Sequence, residues 1–314
     1  MTAAAGEVAV WARGLHRRFG AVAAVQGIDL AVRRGEIFGL VGPDGAGKTT
    51  IMRMLAGVLR PDAGEIRLEG VDVVADPERA KPLLSYMPQR FGLYEDLTVA
   101  ENIYFYATLF AVPAPVRRAR SAELLAAAGL LAFRRRLAGQ LSGGMKQKLG
   151  LVCALIHTPL VLLLDEPTTG VDPVSRRDFW GILYGLRERG VTILLSTAYM
   201  DEAERCSRLA LLHAGAIRHC DTPARLKAAM PGALLAVVTP DARAAHAALA
   251  GAPGLLGLLL MGDRVHVRVD DAARRAPELR ALLAGQGIGA ADIAPVEPAI
   301  EDVFVALLGP GSPP

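Results

Sequence analysis

Cysteine is scarce in this chain, with three residues, Cys153, Cys206 and Cys220, among 314. Their number is odd, and no two of them have the spacing of a CxxC pair. A disulfide framework or a structural zinc site needs more cysteines at closer spacing. The scarcity therefore argues against both and favours a reducing compartment.

Long hydrophobic runs are also absent, although 52% of the residues are hydrophobic. The most apolar stretch, residues 151–164, is interrupted by His157, Thr158 and Pro159. It is shorter than the roughly 20 residues that a bilayer-spanning helix needs. Near the start of the chain, Glu7 lies where the apolar core of a signal peptide would be. We therefore expect no membrane span and a cytoplasmic location.

An excess of charge of one sign is missing as well, because 35 basic and 32 acidic side chains leave a net charge of +3. Proteins that bind nucleic acid electrostatically carry a basic face and a far higher pI, so we expect no nucleic-acid partner. A chain of 314 residues is longer than one compact core usually is. The length predicts one large α/β domain and a smaller second domain.

Short runs rich in β-branched residues predict strands through residue 218. They lie at residues 8–13, 28–32, 37–41, 65–68, 84–87, 161–165, 191–196 and 209–218. The first runs predict an antiparallel start, and the later ones alternate with helical segments. Such alternation is typical of a mainly parallel sheet covered by helices on both faces.

One long segment contains no strand candidate. Within it, Thr98 and Glu101 have the spacing of a capping box and predict the start of an apolar helix over residues 99–111. We therefore predict a helical subdomain over about residues 90–157, inserted into a domain that covers residues 1–228.

The character of the sequence changes after residue 228. Residues 229–314 have the pattern β, α, β, β, α and a further element, for which we expect a small α+β domain of ferredoxin-like type. The turn Gly262-Asp263 predicts a hairpin. The last apolar residues have the spacing of one helix face: Ile300, Val303, Phe304, Leu307 and Leu308.

The strongest local signal is a glycine-rich segment of the form GxxxxGK[ST] that follows the predicted strand at 37–41. It consists of Gly42, Pro43, Asp44, Gly45, Ala46, Gly47, Lys48, Thr49 and Thr50. In such a loop, consecutive backbone N–H groups converge on phosphate oxygens at a helix N-terminus. Lys48 is predicted to contact the β and γ phosphates of a nucleotide, and Thr49 to bind Mg²⁺.

Two adjacent carboxylates follow the apolar run at residues 161–164. Asp165 suits the coordination shell of Mg²⁺. Because neighbouring strand residues point to opposite sides, Glu166 is expected to face the γ-phosphate side and to act as general base on the attacking water. Together with the loop at 42–50, these carboxylates predict hydrolysis of a nucleoside triphosphate.

A third motif, LSGGMKQKLG at residues 141–150, lies a little upstream of Asp165. Here the chain resembles the ATP-binding-cassette family. The resemblance implies ATP and Mg²⁺ as ligands, and an α/β P-loop NTPase fold of ABC type with a mixed sheet, an antiparallel β subdomain, a helical subdomain and a small α+β C-terminal domain. It also implies that Ser142, Gly143 and Gly144 face the nucleotide of an opposite subunit, so that a dimer sandwiches two ATP molecules.

Other positions match the family one by one. The resemblance implies that Gln89 is both a catalytic residue and a Mg²⁺ ligand, and that it links to the transport subunit. Phe19 lies where family members stack an aromatic ring on adenine, although it would suit a core just as well. Asp172 matches a loop that communicates across the dimer, although helix capping alone also explains it. Asp44 stands where many members carry asparagine, and we expect it to alter nucleotide affinity.

One position departs from the family. Ala198 stands where a switch histidine contacts the γ-phosphate, and alanine can neither donate a hydrogen bond nor carry charge. Either the site on this chain is slow or inactive, or Glu166 and Gln89 suffice with another group in the place of the histidine. The histidines nearest in sequence, His157 and His213, suit packing. Two pairings stay open: a slower homodimer, and an asymmetric pair in which this chain completes the site of a partner that has the histidine.

Residues 91–98, 199–204 and 301–304 look most like the ATPase subunits of bacterial exporters of the daunorubicin-resistance type. That resemblance implies an ATPase that powers drug or small-molecule efflux through separate transmembrane permease subunits, which hold it at the inner face of the cell membrane. Two alternatives stay open, a catalytically weak regulatory cassette and a non-transport cassette that acts on ribosomes or DNA. Members of the last class normally carry a second cassette, a coiled coil or a zinc insertion, none of which is visible in the sequence.

Overall fold

The structure is a computed structural model that describes residues 7–289 and 292–308. Its strands are β1 Val8–Phe19, β2 Val22–Arg33, β3 Ile37–Val41, β4 Ala63–Leu68, β5 Val71–Asp72, β6 Leu84–Met87, β7 Val161–Asp165, β8 Thr192–Thr197, β9 Arg208–His213, β10 Ala216–Asp221, β11 Ala233–Val238, β12 Leu255–Met261, β13 Arg264–Val269 and β14 Asp292–Pro295. Its α-helices are α1 Lys48–Leu55, α2 Pro77–Ala80, α3 Val99–Leu109, α4 Ala114–Ala127, α5 Gly143–Leu155, α6 Pro173–Glu188, α7 Met200–Ala203, α8 Pro223–Ala228, α9 Ala242–Leu249, α10 Ala272–Gly285 and α11 Ile300–Leu308. The chain divides into two compact units, one up to Cys220 and one from Asp221.

The first unit is built on a six-stranded sheet with the order β10-β9-β3-β8-β7-β6. Every residue of β3, β7 and β8 is buried, as expected for continuous apolar runs in the centre of a sheet. These strands pair in parallel with one another and with β9 and β6. Because parallel strands end at the same edge of a sheet, the segments that follow β3, β6, β7 and β8 meet there.

A second sheet in this unit, with the order β2-β1-β4-β5, confirms the predicted antiparallel start. β1 and β2 are longer than predicted, since β1 extends to Phe19 and β2 begins at Val22. The pairing shifts register between Ala12 and Leu15, and Gly14 within this segment has a φ of 58°. Such an irregularity interrupts the alternation of apolar and polar residues while the strands stay paired. The sequence pattern therefore ends before the strand does.

The predicted insertion is helical and contains α3, α4 and α5 but no named strand. Both bonds of the capping box are present at the start of α3. The backbone N–H of Glu101 donates to Thr98 Oγ1 at 3.2 Å, and the backbone N–H of Thr98 donates to Glu101 Oε2 at 2.8 Å. The helix that this box opens ends at Leu109, two residues earlier than the sequence pattern predicts.

The helices of the described ranges are short. The longest, α6, has 16 residues, whereas a spanning helix needs about 20. Over residues 7–289 and 292–308, no helix is both long enough and apolar enough to cross a membrane.

The second unit contains a four-stranded antiparallel sheet with the order β12-β13-β11-β14. From β11 to β14 its elements follow the order β-α-β-β-α-β, which is that of ferredoxin-like domains. The hairpin at Gly262-Asp263 and the last helix, α11, are both confirmed. The unit has its own apolar core, which includes Leu235, Val267 and Leu283. The domain bounds at 228 and 229 stay a prediction, and residues 1–6, 290–291 and 309–314 of the two predicted domains lie outside the described residues.

Candidate active site

A cavity of about 650 Å³ lies at the edge where β3, β7 and β8 end. Its volume is within the range of roughly 300 to 1,000 Å³ that is usual for small-molecule sites. It is lined by Phe19, Ala24, Asp44, Gly45, Gly47, Lys48, Thr49, Thr50, Gln89, Glu166, Thr169, Ala198 and Tyr199. The strand order therefore brings together most of the glycine-rich loop, Gln89, Glu166 and Phe19, as the sequence predicts.

The glycine-rich loop connects β3 to α1 and passes close to neighbouring backbone. A Cβ atom at Gly42 would lie 2.4 Å from the carbonyl oxygen of Leu212, and one at Gly47 would lie 2.4 Å from that of Ala24. Gly47 also has a φ of 101° and begins α1 without a side-chain cap. The first N–H groups of α1 therefore lack a capping side chain, and the helix N-terminus carries positive potential. This end of the cavity suits an anion such as a phosphate.

Gly42, Pro43 and Ala46 are the loop residues that do not line the cavity. Two of them hold the lysine in place, because Lys48 Nζ donates to the carbonyl oxygens of Gly42 at 2.8 Å and Pro43 at 3.1 Å. The same ammonium lies 3.1 Å from Glu166 Oε1. The buried cation of the loop is thus paired with the carboxylate across the cavity.

Asp165 is buried at the end of β7 and accepts hydrogen bonds from three hydroxyl groups. Thr49 Oγ1 and Ser196 Oγ donate to Oδ1 at 3.0 and 2.7 Å, and the Tyr86 hydroxyl donates to Oδ2 at 3.1 Å. Burial and the negative charge of Asp165 raise the pKa of Tyr86 to about 12, so it stays a donor. Sequence reasoning missed Ser196 and Tyr86. The parallel pairing of β7 with β8 sets Ser196 opposite Asp165, and no short sequence pattern specifies that pairing.

Glu166 reaches the cavity by a different route from the one predicted. The strand ends at Asp165, and Glu166 has a φ of 48°, in the left-handed region that is costly for a residue with a side chain. Its backbone N–H donates to Ser196 Oγ at 2.9 Å, and its Oε2 accepts from Gln89 Nε2 at 2.9 Å. A backbone turn, rather than strand alternation, therefore directs this carboxylate toward Lys48 and Gln89.

The donor set at Thr49 and Asp165 fits a Mg²⁺ ion that arrives with a nucleotide. A hydroxyl and a carboxylate oxygen lie 3.0 Å apart there, and both are ligands of the kind that Mg²⁺ prefers. In the part of the chain that the structure describes, no three His, Cys, Asp or Glu side chains form a metal cluster. A Mg²⁺ ion at this place would therefore need phosphate oxygens and water as its remaining ligands, which is how Mg²⁺ is commonly held.

The LSGG segment does not line the cavity of its own chain. Ser142 caps α5 by accepting from the backbone N–H of Met145 at 3.3 Å, and both Ser142 and Gly143 are exposed. Gly144 is buried against the start of α6, where its Cβ would lie 2.4 Å from Ser175 Oγ. The segment and the cavity are thus separate surfaces of the first unit.

Asp172 is exposed and caps α6. It accepts from the backbone N–H of Ser175 at 2.9 Å, and this bond lowers its pKa. The capping role that the sequence suggested is therefore present. Its predicted role between subunits stays a prediction.

Phe19 belongs to the wall of the cavity rather than to a core, because 48% of its surface is exposed. The Arg17 guanidinium lies 5.0 Å from the centre of its ring.

No histidine lines this cavity within the described residues. Ala198 is exposed at its wall. His157 instead stacks on Phe110 with ring centres 3.7 Å apart, and its Nε2 lies 3.0 Å from the carbonyl oxygen of Leu84. His213 is half-buried at the end of β9. Both histidines have the packing positions expected from the sequence.

A family model and curated relatives of this chain indicate the same family. Residues 25–169 match the family model of ABC transporters. The chain is 42% identical, over 94% of its length, to the probable multidrug ABC transporter ATP-binding protein YbhF of Escherichia coli (strain K12), and it spans about half of that relative, 51%. It is 37% identical to the daunorubicin resistance ATP-binding protein DrrA3 of Streptomyces coeruleorubidus, with 96% of each chain covered.

Solved structures of ABC cassettes resemble this chain as well. One, the ATP binding subunit of an ABC transporter, has a TM-score of 0.64 and 29% identity, with 70% of this chain and 92% of that chain covered. Another, the dimeric bacterial ABC transporter cassette MJ0796, has a TM-score of 0.63 and 24% identity, with 68% and 98% covered. The second likeness concerns the fold alone.

Proposed function

The chain belongs to the ABC transporter family, and from this membership we propose that it is the ATP-hydrolysing subunit of an exporter for drugs or other small molecules. One observation carries the proposal: most of the glycine-rich loop, the Lys48–Glu166 pair and Gln89 line a single cavity, beside the Thr49–Asp165 contact. The names of the relatives, multidrug and daunorubicin resistance proteins, support export as the process that is powered.

In the proposed reaction, the loop amides and Lys48 bind the phosphates of ATP, and Phe19 supplies a ring for the adenine to stack on. A bound Mg²⁺ ion, held by Thr49 and Asp165 with Gln89 nearby, would offset the negative charge of the phosphates. Glu166 accepts a proton from a water whose oxygen attacks the γ-phosphorus. The bond to the bridging oxygen breaks, and ADP and inorganic phosphate are the products.

Glu166 has to leave Lys48 for this step. In the structure, one of its carboxylate oxygens forms an ion pair with Lys48 Nζ, and the other accepts a hydrogen bond from Gln89 Nε2. A phosphate that binds Lys48 replaces one of these contacts, whereas the bond to Gln89 is compatible with an incoming water. Binding of ATP would therefore free one oxygen of Glu166 to accept a proton from the attacking water.

A second subunit completes the site in this proposal. Ser142, Gly143 and Gly144 of the same chain do not line the cavity, although their helix N-terminus suits an anion. We infer that two cassettes close over two ATP molecules, with Asp172 at the interface. The LSGG segment of each cassette, which we call the signature segment, then covers the nucleotide of its partner. Hydrolysis lets them separate, and Gln89 with the residues after it passes this motion to permease subunits at the inner face of the membrane.

Ala198 favours a second candidate function. With an alanine at the switch position and no histidine on the cavity wall among the described residues, the chain would act as a catalytically weak cassette. Its binding of ATP, rather than turnover, would then move an asymmetric heterodimer. In this second candidate function, the same cavity binds ATP and the same signature segment contacts the partner subunit.

Equilibrium binding of ATP with Mg²⁺, measured by calorimetry, tests the proposal. Lys48→Ala is expected to weaken binding at least about 100-fold, because a buried charge-assisted contact to phosphate is lost. Lys81→Ala is the matched control, since Lys81 is an exposed lysine paired with Glu78, and it is expected to change affinity less than about twofold. Unchanged affinity in Lys48→Ala would count against the phosphate-loop assignment.

Light scattering with ATP and Mg²⁺ tests the dimer separately. If the chain's own site turns over, Glu166→Gln is expected to accumulate a closed dimer, because ATP binds and is not hydrolysed. A Glu166→Gln chain that binds ATP and stays monomeric at every concentration would contradict closure between two copies and favour a different partner subunit.

A further inference from the structure

One buried carboxylate of the first unit has no part in the chemistry above. Glu202, in α7, is 1% exposed. Thr168 Oγ1 and Trp180 Nε1 donate to its Oε1 at 2.5 and 3.1 Å, and Thr197 Oγ1 donates to its Oε2 at 2.7 Å. All three donors are buried as well. We call these four residues the Glu202 cluster.

The three donors come from three segments, two of which adjoin the candidate site. Thr168 lies between Glu166 and Thr169, a residue of the cavity wall. Thr197 ends β8 and directly precedes Ala198. Trp180 lies in α6, the helix that begins after the proposed interface residue Asp172. One side chain therefore joins the segment of the general base, the turn beside it and the helix behind both.

The turn after β8 depends on the cluster in a second way. The backbone N–H of Tyr199 donates to Thr197 Oγ1 at 2.9 Å. A hydroxyl group can accept one hydrogen bond and donate another, so the Thr197 hydroxyl that accepts from Tyr199 also donates to Glu202. The position of Tyr199 on the cavity wall is thus set through Thr197 by Glu202. Ala198 between them contributes no polar side chain.

The chemistry of the cluster argues for a role beyond packing. Placing a carboxylate inside a protein costs several kcal/mol unless hydrogen bonds or opposite charge offset it. The donors to the Glu202 side chain are two hydroxyls and an indole, all uncharged. An apolar side chain at position 202 would leave these three buried donors without their shared acceptor. The acidic group is explained if these three segments have to be held in one arrangement.

We propose that Glu202 is a positioning residue, which fixes the Thr168–Thr169 segment and the Ala198–Tyr199 turn relative to each other and connects both to Trp180. The inference rests on the proposed function, because nucleotide binding is what would displace these two walls of the cavity. When a nucleotide enters, the cluster carries the displacement to α6, and the surroundings of the Trp180 indole change. The role is distinct from catalysis, since the Glu202 side chain does not line the cavity.

Trp180 gives the measurement, because the chain has two tryptophans, Trp11 and Trp180. In the full chain, Trp11→Phe leaves Trp180 as the source of tryptophan emission. Thr197→Val in this background removes the hydroxyl at nearly constant shape, and Thr197→Ser keeps the hydroxyl. Each protein is titrated with a nonhydrolysable ATP analogue and Mg²⁺, once by Trp180 emission and once by calorimetry.

We expect the analogue to shift Trp180 emission in the Trp11→Phe background and in Thr197→Ser. In Thr197→Val the shift is expected to disappear while the Kd from calorimetry changes less than about threefold. A role confined to stability would lower the unfolding temperature of Thr197→Val and leave the emission shift intact, which would overturn the proposal. Binding in the background without any emission shift would also overturn it.

Two further outcomes are distinguishable. If the background protein gives no binding heat with the analogue, the proposed function fails and the inference fails with it. If Thr197→Val does not fold, Thr168→Val and Thr168→Ser repeat the comparison at the other threonine that donates to Glu202. The shift of Trp180 emission is then expected to disappear in Thr168→Val and to remain in Thr168→Ser. An emission shift of full size in Thr168→Val would then decide against the proposal.

Discussion

Lys48 Nζ lies 3.1 Å from Glu166 Oε1, so the cation of the phosphate loop and the proposed general base form an ion pair inside the cavity. Both side chains are largely buried, with 4% and 12% exposed. The other partners of the ammonium are the carbonyl oxygens of Gly42 and Pro43. A phosphate that approaches Lys48 therefore competes with Glu166 for the same positive charge.

Glu166→Gln removes that competition. We expect the variant to bind ATP more tightly, by up to about tenfold or about 1.4 kcal/mol, because its neutral amide holds Lys48 less strongly than a carboxylate does. Hydrolysis is expected to fall by about 10² or more, because the base is lost. Calorimetry measures the affinity and phosphate release measures the turnover.

The control for this prediction is Glu78→Gln, which changes an exposed glutamate paired with Lys81. It is expected to change neither the affinity for ATP nor the rate of hydrolysis. Weaker binding of ATP by Glu166→Gln than by the unchanged chain would show that the ion pair does not oppose the phosphate.

Asp44 adds a second negative charge near the same lysine. Its side chain is 96% exposed, and its Oδ1 lies 4.0 Å from Lys48 Nζ. Asp44→Asn is expected to tighten ATP binding modestly at low salt, and the gain is expected to vanish as the Debye length falls from about 30 Å at 0.01 M to about 3 Å at 1 M salt. Binding titrations at several salt concentrations check this. Asp263→Asn, an exposed aspartate of the second unit, is the control, and an equal gain there would refute a local effect.

The phosphate loop and the central strands were predictable because their patterns are local. Only glycine fits at Gly42 and Gly47, where a side chain would meet the backbone of other segments. Every residue of β3, β7 and β8 is buried, and β3, most of β7 and the middle of β8 are apolar. Each feature leaves a continuous signature in the sequence, and parallel pairing then brings the ends of these strands together.

The hydroxyl groups around Asp165 were not predictable in the same way. Tyr86 and Ser196 come from strands that neighbour β7 in space and are distant from it in sequence. Their contacts depend on the strand order β8-β7-β6, which no short pattern specifies. The left-handed turn at Glu166 is another such case, because glutamate rarely adopts that conformation and gives no sign of it.

Ala198→His tests whether the missing imidazole limits the chain's own site. Ala198 is exposed on the cavity wall, so a larger side chain has room. If the chain is a slow ATPase, the added hydrogen-bond donor is expected to raise turnover by about tenfold or more, since one such donor at a developing charge is typically worth at least that much. Phosphate release by the purified chain measures it.

Ala198→Leu is the control of similar bulk without a hydrogen-bonding group, and it is expected to leave turnover at or below that of the unchanged chain. Equal rates in the histidine and leucine variants would mean that the substitution at 198 does not limit hydrolysis. A rise specific to histidine would show that the site of the unchanged chain is otherwise competent and is slowed by the alanine.

Gly144 and Gly143 give a matched pair at the start of α5. A Cβ at Gly144 would lie 2.4 Å from Ser175 Oγ and 2.5 Å from Ser175 Cβ, whereas the nearest atom to one at Gly143 is Gly170 O at 4.0 Å. Gly144→Ala is therefore expected to destabilise the chain by about 1–3 kcal/mol, because the starts of α5 and α6 are pushed apart. Gly143→Ala is expected to be neutral or slightly stabilising, since alanine is the better helix former by about 1 kcal/mol.

Unfolding of the nucleotide-free chain in denaturant measures both variants, and stability is the right readout because both glycines belong to the proposed subunit interface. Ser175→Gly removes the two side-chain atoms that the added methyl group would meet. If the contact is the cause, Gly144→Ala is expected to cost less in the Ser175→Gly background than alone, and the difference is the coupling energy of the pair. Equal costs in the two backgrounds would place the need for glycine in the backbone of the signature segment rather than in its packing against α6.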